Sequence, residues 1–241
     1  HLEKFNLQYK NRSDEFHGLS IAGPKSRDLL QKIVRENVSN DSFKFRDSRK
    51  MFVAGVPAIV NRISFTGELG YEIYVAPHFQ LKLYEELTKA GKEFNIKPFG
   101  GRALMSMRLE KNWGAWTLDY RPDFTAKETG LDAFINWNKD FIGKDSTKKD
   151  ESKNKLVPLI VETNDIDVTY NEAVLKGDKS IGYITSGGFA HFVNKSVAFS
   201  YVDQNELKSE KGIQVEINGD FFNCSIIKEP LYDPTGQKMR S

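Results

Sequence analysis

The sequence predicts an α+β protein of two domains, in which a part with mixed helices and strands precedes an all-β part. The 241 residues are 39% hydrophobic and 28% charged, which is ordinary for a globular protein and sufficient for two cores. Helical and strand-like patterns alternate up to about residue 143. After the polar run 143–155, only short strand-like runs occur, separated by turn sequences.

Seven elements are predicted in the first part: a strand, a helix, two strands of a hairpin, a further strand and two helices. The first helix begins at Gly23-Pro24, and its apolar residues recur at helical spacing. The hairpin is predicted around Gly55-Val56-Pro57, and the strand that follows it alternates apolar and polar residues. The elements span 17–22, 26–34, 51–65 (both hairpin strands), 71–75, 79–94 and 101–111.

The second part predicts a small β-barrel or sandwich. Lys176-Gly177-Asp178 and Asn218-Gly219-Asp220 indicate hairpin turns, and Ser186–His191 is interpreted as a Gly-rich turn between strands. The predicted strands span 156–161, 173–175, 181–184, 196–202, 213–217 and 221–227. Because the polar run before them contains no anchoring apolar residue, it is interpreted as a connection between domains 1–150 and 155–241.

Charge and composition exclude several classes of protein. The 35 Lys and Arg nearly balance the 33 Asp and Glu, which argues against a protein dedicated to nucleic acid or an anionic membrane. No apolar run reaches the roughly 20 residues of a membrane-spanning helix. Cys224 is the single cysteine and cannot form an internal disulfide. The scattered histidines predict no metal site, and no phosphate-binding Gly-rich loop is present.

The turn Thr66-Gly67-Glu68 is the first candidate site. A carboxylate beside a glycine can accept a pair of hydrogen bonds from neighbouring N–H donors, such as those on the edge of a pterin. A solvent-exposed turn glutamate is the alternative interpretation. The helix over 101–111 is the second candidate, because Arg102 or Arg108 near aromatic rings could hold an aromatic acid. An internal ion pair is its alternative.

Several runs together resemble one family. They are RISFTGELGYEIYV at 62–75, Arg108-Leu109-Glu110-Lys111 with Ala115-Trp116 and Asp119, DFIGK at 140–144, GYITSGG at 182–188 with His191, and PLYDP at 230–234. In combination they are similar to the glycine-cleavage aminomethyltransferase (T-protein) superfamily. Their details resemble most the folate-binding C-terminal region of dimethylglycine and sarcosine dehydrogenases.

This resemblance implies a ferredoxin-like folate-binding subdomain followed by a C-terminal β-barrel. It implies tetrahydrofolate as cofactor and transfer of an aminomethyl or methylene unit, with FAD only if an oxidoreductase domain precedes the chain. The implied partners are a small-molecule donor, a lipoyl carrier protein or a fused flavin domain. A folate-dependent demethylase and a non-catalytic folate-binding scaffold stay open as alternatives. The implied compartment is the cytoplasm, or the mitochondrial matrix in a eukaryote.

The resemblance also assigns site residues. Glu68 would hold the pterin edge, while Tyr71, Arg102, Arg108 and Trp116 would contribute to the folate pocket. The family's catalytic aspartate would lie upstream of His1, so no catalytic residue is assigned and this chain alone is expected to be incompetent. Were it active alone, Glu68 and Asp119 would be the first candidates for proton handling. The acidic residue of the family's Ala-Arg-Asp motif is absent from Gly101–Leu104.

Overall fold

The computed structural model describes residues 4–163, 165–209 and 211–241. Its helices are α1 (Ser26–Ile33), α2 (Gln80–Gly91), α3 (Gly101–Glu110), α4 (Lys144–Lys148) and α5 (Gln237–Arg240). Its strands are β1 (His17–Ala22), β2 (Ser48–Val53), β3 (Val56–Asn61), β4 (Gly70–Val75), β5 (Asn154–Val161), β6 (Ala173–Lys176), β7 (Lys179–Ala190), β8 (Lys195–Asp203), β9 (Ile213–Ile217) and β10 (Asp220–Ile226).

The chain forms two compact units. The first unit comprises the residues up to Pro98 together with Gly236–Ser241, and the second comprises Phe99–Thr235. The sequence-based division at 150 and 155 falls inside the second unit and stays a prediction about domains. There, the predicted connection is tied to the barrel, since the side chain of Gln204 donates to the carbonyl of Ser152 and its backbone N–H donates to the carbonyl of Lys153.

An antiparallel sheet of order β1-β4-β3-β2 forms the first unit, and α1 and α2 pack on one of its faces. Strand β4 alternates, with Tyr71, Ile73 and Val75 buried and the two residues between them half-buried. This period of two places an apolar face of the sheet against the helices. The core also contains Leu30, Phe43, Val53, Val60 and Leu83.

The β2–β3 hairpin turns two residues earlier than predicted. Ala54 and Gly55 both have positive φ, 50° and 78°, as a tight two-residue hairpin turn requires. Pro57 therefore lies inside β3, opposite Phe52 of β2. It is tolerated because β3 pairs with β4 only from Ala58 onward, so no bond to β4 is lost.

Arg62 is a fully buried cation of the first unit. Its Nη1 donates to the carbonyl of Phe43 at 2.5 Å, and its Nη2 donates to the carbonyls of Arg240 at 3.0 Å and Ser241 at 2.8 Å. Burial lowers the pKa of this guanidinium, which nevertheless stays charged because arginine cannot be deprotonated under ordinary conditions. Backbone oxygens from α5 and the residue after it therefore complete the core of the first unit.

The second unit contains a closed antiparallel barrel of order β10-β5-β8-β7-β6-β9. Inward-facing residues of its strands form the barrel core, namely Val157, Leu159, Val174, Ile184, Ile213, Val215 and Ile217. The predicted turn at Asn218-Gly219 is present, with φ of 54° and 91°. The α+β class and the C-terminal barrel are thus confirmed, with a barrel in place of a sandwich.

One predicted turn of the barrel is wrong. Ser186–Ala190 does not reverse the chain but continues β7, where Gly187 and Gly188 pair with Ala198 and Val197 of β8. A glycine is needed at 187 because a Cβ there would lie 2.5 Å from the carbonyl oxygen of Val168. Gly187 therefore serves close packing within a strand.

Among the described residues, no helix combines the length and the apolar character needed to cross a membrane.

Candidate functional site

Arg108 is the buried centre of the candidate site in the second unit. It lies in the last turn of α3 with no exposed surface, and its Nη1 donates to Asp119 Oδ2 at 2.6 Å and to the carbonyl of Trp113 at 3.0 Å. Its guanidinium carbon lies 5.6 Å from the ring centre of Phe199. Burial lowers the pKa of Arg108, and the carboxylate of Asp119 opposes that shift. The pair is therefore a desolvated ion pair inside the unit.

Asp119 collects hydrogen bonds from several segments of the chain. Its Oδ2 also accepts the N–H of Ala115 at 2.8 Å, while Oδ1 accepts the hydroxyls of Thr185 at 2.5 Å and Ser186 at 2.7 Å. Its backbone carbonyl accepts the hydroxyl of Tyr201 at 2.8 Å. These donors compensate the cost of burying the carboxylate and join the loop after α3 to strands β7 and β8.

A cavity of about 810 Å³ lies beside this network. Its wall combines the start of α3, a stretch of the loop before β6, and the middle of β7. Hydroxyl-bearing and glycine residues of β7 lie on one side, and Arg102 and Ala103 lie on another. A cavity of this volume is within the range that small-molecule sites occupy. The cavity also includes Leu118, Asp167, Tyr170 and His191.

The end of α3 is fixed by two further buried charges. Glu110 Oε1 accepts the N–H of Phe192 at 2.6 Å, and burial raises the pKa of its carboxyl. Lys111 donates to the carbonyl of Tyr232 and pairs with Asp233 Oδ2 at 3.1 Å. The Arg-Leu-Glu-Lys and Leu-Tyr-Asp-Pro runs are thus in direct contact, which holds the segment after the barrel against α3.

The structure places Glu68 and Tyr71 in the first unit. Glu68 is half-buried in the turn between β3 and β4, where Gly67 has a φ of +85° and donates its N–H to Ser64 Oγ at 3.0 Å. The N–H of Glu68 donates to Thr66 Oγ1 at 3.2 Å, so both backbone groups are held. Tyr71 is fully buried, with its ring 5.8 Å from that of Phe43.

The other three predicted residues lie in the second unit and differ in exposure. Arg102 is exposed and lines the cavity, whereas Arg108, six residues later on α3, is enclosed and does not line it. Trp116 is 77% exposed and meets Tyr120 edge-on, with ring centres 5.7 Å apart. Their assignment to a folate pocket stays a prediction.

The sequence assigns no role to Thr185 and Ser186. It makes Asp119 a candidate for proton handling only in the case that the chain is active alone. The signal that could have found them is the Arg108–Asp119 spacing in one family-like run and the neighbouring hydroxyls in another. Asp119 and Thr185 are 66 residues apart, and no local pattern in the sequence predicts that they meet at one carboxylate oxygen.

Two family models match the chain in succession. The model described as the GCVT N-terminal domain matches residues 1–139, and the glycine cleavage T-protein C-terminal barrel domain matches residues 154–233. A mitochondrial dimethylglycine dehydrogenase of Homo sapiens is 37% identical over 243 aligned residues, covering 98% of this chain and 28% of that protein. An aminomethyltransferase of Caldanaerobacter subterraneus is 31% identical over 239, covering 97% of this chain and 63% of that protein.

A solved structure shares the fold. The aminomethyltransferase T of the glycine cleavage system from Bartonella henselae superposes with a TM-score of 0.78 at 21% identity, covering 91% of this chain and 60% of that one. The chain therefore spans less than a third of the dehydrogenase and less than two thirds of the aminomethyltransferases that it matches.

Proposed function

Because the chain belongs to the glycine cleavage T-protein family, we propose that it takes part in tetrahydrofolate-dependent one-carbon transfer, as an aminomethyltransferase-type enzyme. The observation that carries this proposal is the succession of the two family models, over 1–139 and 154–233, together with relatives named as aminomethyltransferases. When bound, tetrahydrofolate supplies the nitrogen nucleophile that accepts a one-carbon unit.

In this proposal, Glu68 receives the N–H donors of the pterin edge. The turn that carries it is suited to this task, since the backbone N–H groups of Gly67 and Glu68 are held by Ser64 and Thr66. A carboxylate on a fixed turn loses little conformational freedom on binding, so its paired hydrogen bonds translate into affinity. Tyr71 acts beneath the turn, where its buried ring packs on Phe43 and supports the first residues of β4.

The volume of the cavity in the second unit and its polar groups support the proposal that this unit contacts an aromatic acid of folate type. Arg102 is proposed to attract a carboxylate of the ligand, because it lines the cavity and is exposed. The exposed indole of Trp116 offers a flat surface for stacking. Arg108 is proposed to act through Asp119, since the enclosed guanidinium is already engaged by that carboxylate.

For the one-carbon donor, we propose an iminium derived from an N-methylated amine. The support is the higher identity to three dimethylglycine dehydrogenases, 37 to 38%, than to the aminomethyltransferase at 31%. The alternative donor is an aminomethyl group carried on a lipoyl carrier protein. FAD would belong to a separate oxidoreductase domain. In a eukaryote, the mitochondrial matrix is the proposed compartment.

The test is titration of the full polypeptide with tetrahydrofolate, with the heat of binding measured by calorimetry. We expect Glu68→Gln to weaken binding by about 1–3 kcal/mol, because a charge-assisted, paired acceptor is lost. Glu85→Gln, at an exposed position of α2 in the same unit, is the matched control and should bind as the wild type does. Unchanged affinity in Glu68→Gln would remove Glu68 from the site, and absence of folate binding by the wild type would refute the function. Binding without transfer from any donor would favour the scaffold alternative.

A further inference from the structure

Strand β7 contains an irregularity at the cavity wall. Ile184 pairs with Ser200 of β8, and Ser186 pairs with the adjacent Phe199, so Thr185 is an extra residue without its own partner in β8. In a regular strand, successive side chains point to opposite faces. At this bulge, however, the hydroxyls of Thr185 and Ser186 both reach Oδ1 of Asp119. Bulges re-aim side chains in this way and are frequent beside functional sites.

The two hydroxyls have a defined polarity. A hydroxyl has one proton to donate and two lone pairs that accept. The carboxylate of Asp119, paired with Arg108, is the nearer acceptor for both hydroxyl protons, at 2.5 and 2.7 Å. The carbonyl of Phe199 lies farther from Thr185 Oγ1, at 3.3 Å. Both residues line the cavity. Thr185 has no exposed surface and Ser186 keeps 6% of its surface exposed, so Ser186 is the hydroxyl that a ligand in the cavity can reach. What it can offer to a ligand is therefore an acceptor lone pair.

We propose that Asp119 is a positioning residue of the ligand site: held by the enclosed hydroxyl of Thr185, it takes the proton of Ser186, so that the Ser186 oxygen on the β7 wall of the cavity accepts a hydrogen bond from an N–H group of the ligand. The inference rests on the proposed function in that the ligand is a folate, whose amine and amide groups supply such donors. Arg108 acts through Asp119, because its guanidinium is the cation paired with that buried carboxylate.

Asp119 itself is a poor position for the test, because its replacement leaves Arg108 buried without a counter-charge. The hydroxyls can be removed without disturbing that pair. Ser186→Ala deletes the acceptor that a ligand reaches, Thr185→Val deletes the enclosed hydroxyl that holds Asp119, and Thr185→Ser keeps that hydroxyl. Ser200→Ala is the matched control, since Ser200 is a fully buried serine of β8 that donates to the carbonyl of Val157 and is not part of the cavity wall.

The experiment measures tetrahydrofolate affinity and thermal unfolding of each variant in the full polypeptide. We expect Ser186→Ala and Thr185→Val to bind on the order of tenfold more weakly, the size of one hydrogen bond, and Thr185→Ser to bind as the wild type does. Ser200→Ala should lower the unfolding temperature to a similar extent and change affinity less than twofold.

Two outcomes overturn the positioning role while the proposed function stands: a wild type that binds folate with Ser186→Ala and Thr185→Val binding equally well, or Ser200→Ala weakening binding as much as they do. A wild type that binds no folate overturns the proposed function and this inference with it.

Discussion

At the residue scale, removing one partner of the ion pair between Arg108 and Asp119 should cost much stability. Both side chains have no exposed surface, and their attraction offsets a desolvation cost of several kcal/mol per ion. Removing one partner retains that cost for the other. The stability of the second unit should therefore depend strongly on either residue.

We predict that Arg108→Met lowers the free energy of unfolding by about 3–5 kcal/mol, since it keeps most of the volume but leaves the Asp119 carboxylate without its cation. Urea unfolding followed by circular dichroism measures this. Arg12→Gln, which removes an exposed ion pair with Glu15, should change the unfolding free energy very little. A loss below about 1 kcal/mol for Arg108→Met would mean that Asp119 finds other compensation.

Cys224 gives a pH-dependent prediction. Burial raises the pKa of its thiol to about 12. As the pH rises, the thiol therefore loses its proton first in the unfolded state, where its pKa is that of an ordinary thiol, and only at higher pH in the native state. Above about pH 9, the unfolded state thus binds fewer protons and stability falls as pH rises. In Cys224→Ala, the loss of stability between pH 8 and 10 should be smaller by up to about 1.4 kcal/mol per pH unit. Equal losses in both proteins would show that the thiol does not titrate differently in the two states.

The residues also show where sequence reasoning stops at this scale. The chemistry of Arg102 and Arg108 is identical and both lie on α3, so the sequence places both in a pocket. Their exposure differs because the last turn of α3, unlike its first, is enclosed by the barrel strands and the segment after them. That enclosure depends on long-range contacts, which spacing along one helix does not encode.

At the element scale, β7 illustrates how a glycine pair misleads prediction. Gly187-Gly188 is typical of a turn, yet in β7 Gly187 permits the close approach of Val168. The hairpins at Ala54-Gly55 and Asn218-Gly219 use the left-handed region in the ordinary way. The glycine pattern is the same, and only the neighbouring backbone distinguishes the two uses.

The two adjacent glycines of β7 form an internal control. Gly187→Ala places a Cβ 2.5 Å from the backbone oxygen of Val168, which must move, whereas Gly188→Ala meets only Leu109 at an ordinary 3.6 Å. We expect Gly187→Ala to cost about 1–3 kcal/mol of stability and Gly188→Ala to be close to neutral. Thermal unfolding of both variants measures the difference. Equal stability of the two would mean that the loop containing Val168 yields without cost.

At the scale of the whole molecule, the two compact units predict a site of first proteolytic cleavage. Residues 95–100 are exposed and lie outside helices and strands, directly before α3 begins at Gly101. By contrast, the polar stretch at 149–153 is held by Gln204 and by Lys127. Brief digestion with a protease of broad specificity should cut first within 95–100, as mass spectrometry of the fragments would show. A first cut within 149–153 would favour the sequence-based division.

The architecture was predictable from the sequence to a large degree, because it depends on periodicity and turn chemistry. Alternating patterns predict the strands of both units, and the resemblance implies the barrel. The choice between barrel and sandwich was not encoded locally, since closure depends on β10 pairing with β5 across the ends of the sheet. The assignment of 236–241 to the first unit was also beyond reach, because carbonyl groups carry no sequence signal.

That assignment has a consequence for synthesis on the ribosome. Two of the three carbonyls that accept hydrogen bonds from the Arg62 guanidinium belong to residues 178 and 179 positions further along the chain, whereas that of Phe43 precedes it. When the sheet of the first unit emerges, these two acceptors of the cation do not exist until more than half of the chain has been translated. The continuous stretch that forms the barrel is translated before residues 240 and 241, and it can fold while the core of the first unit still lacks their carbonyls. Of these two units, the one that is made first is therefore the one that matures last.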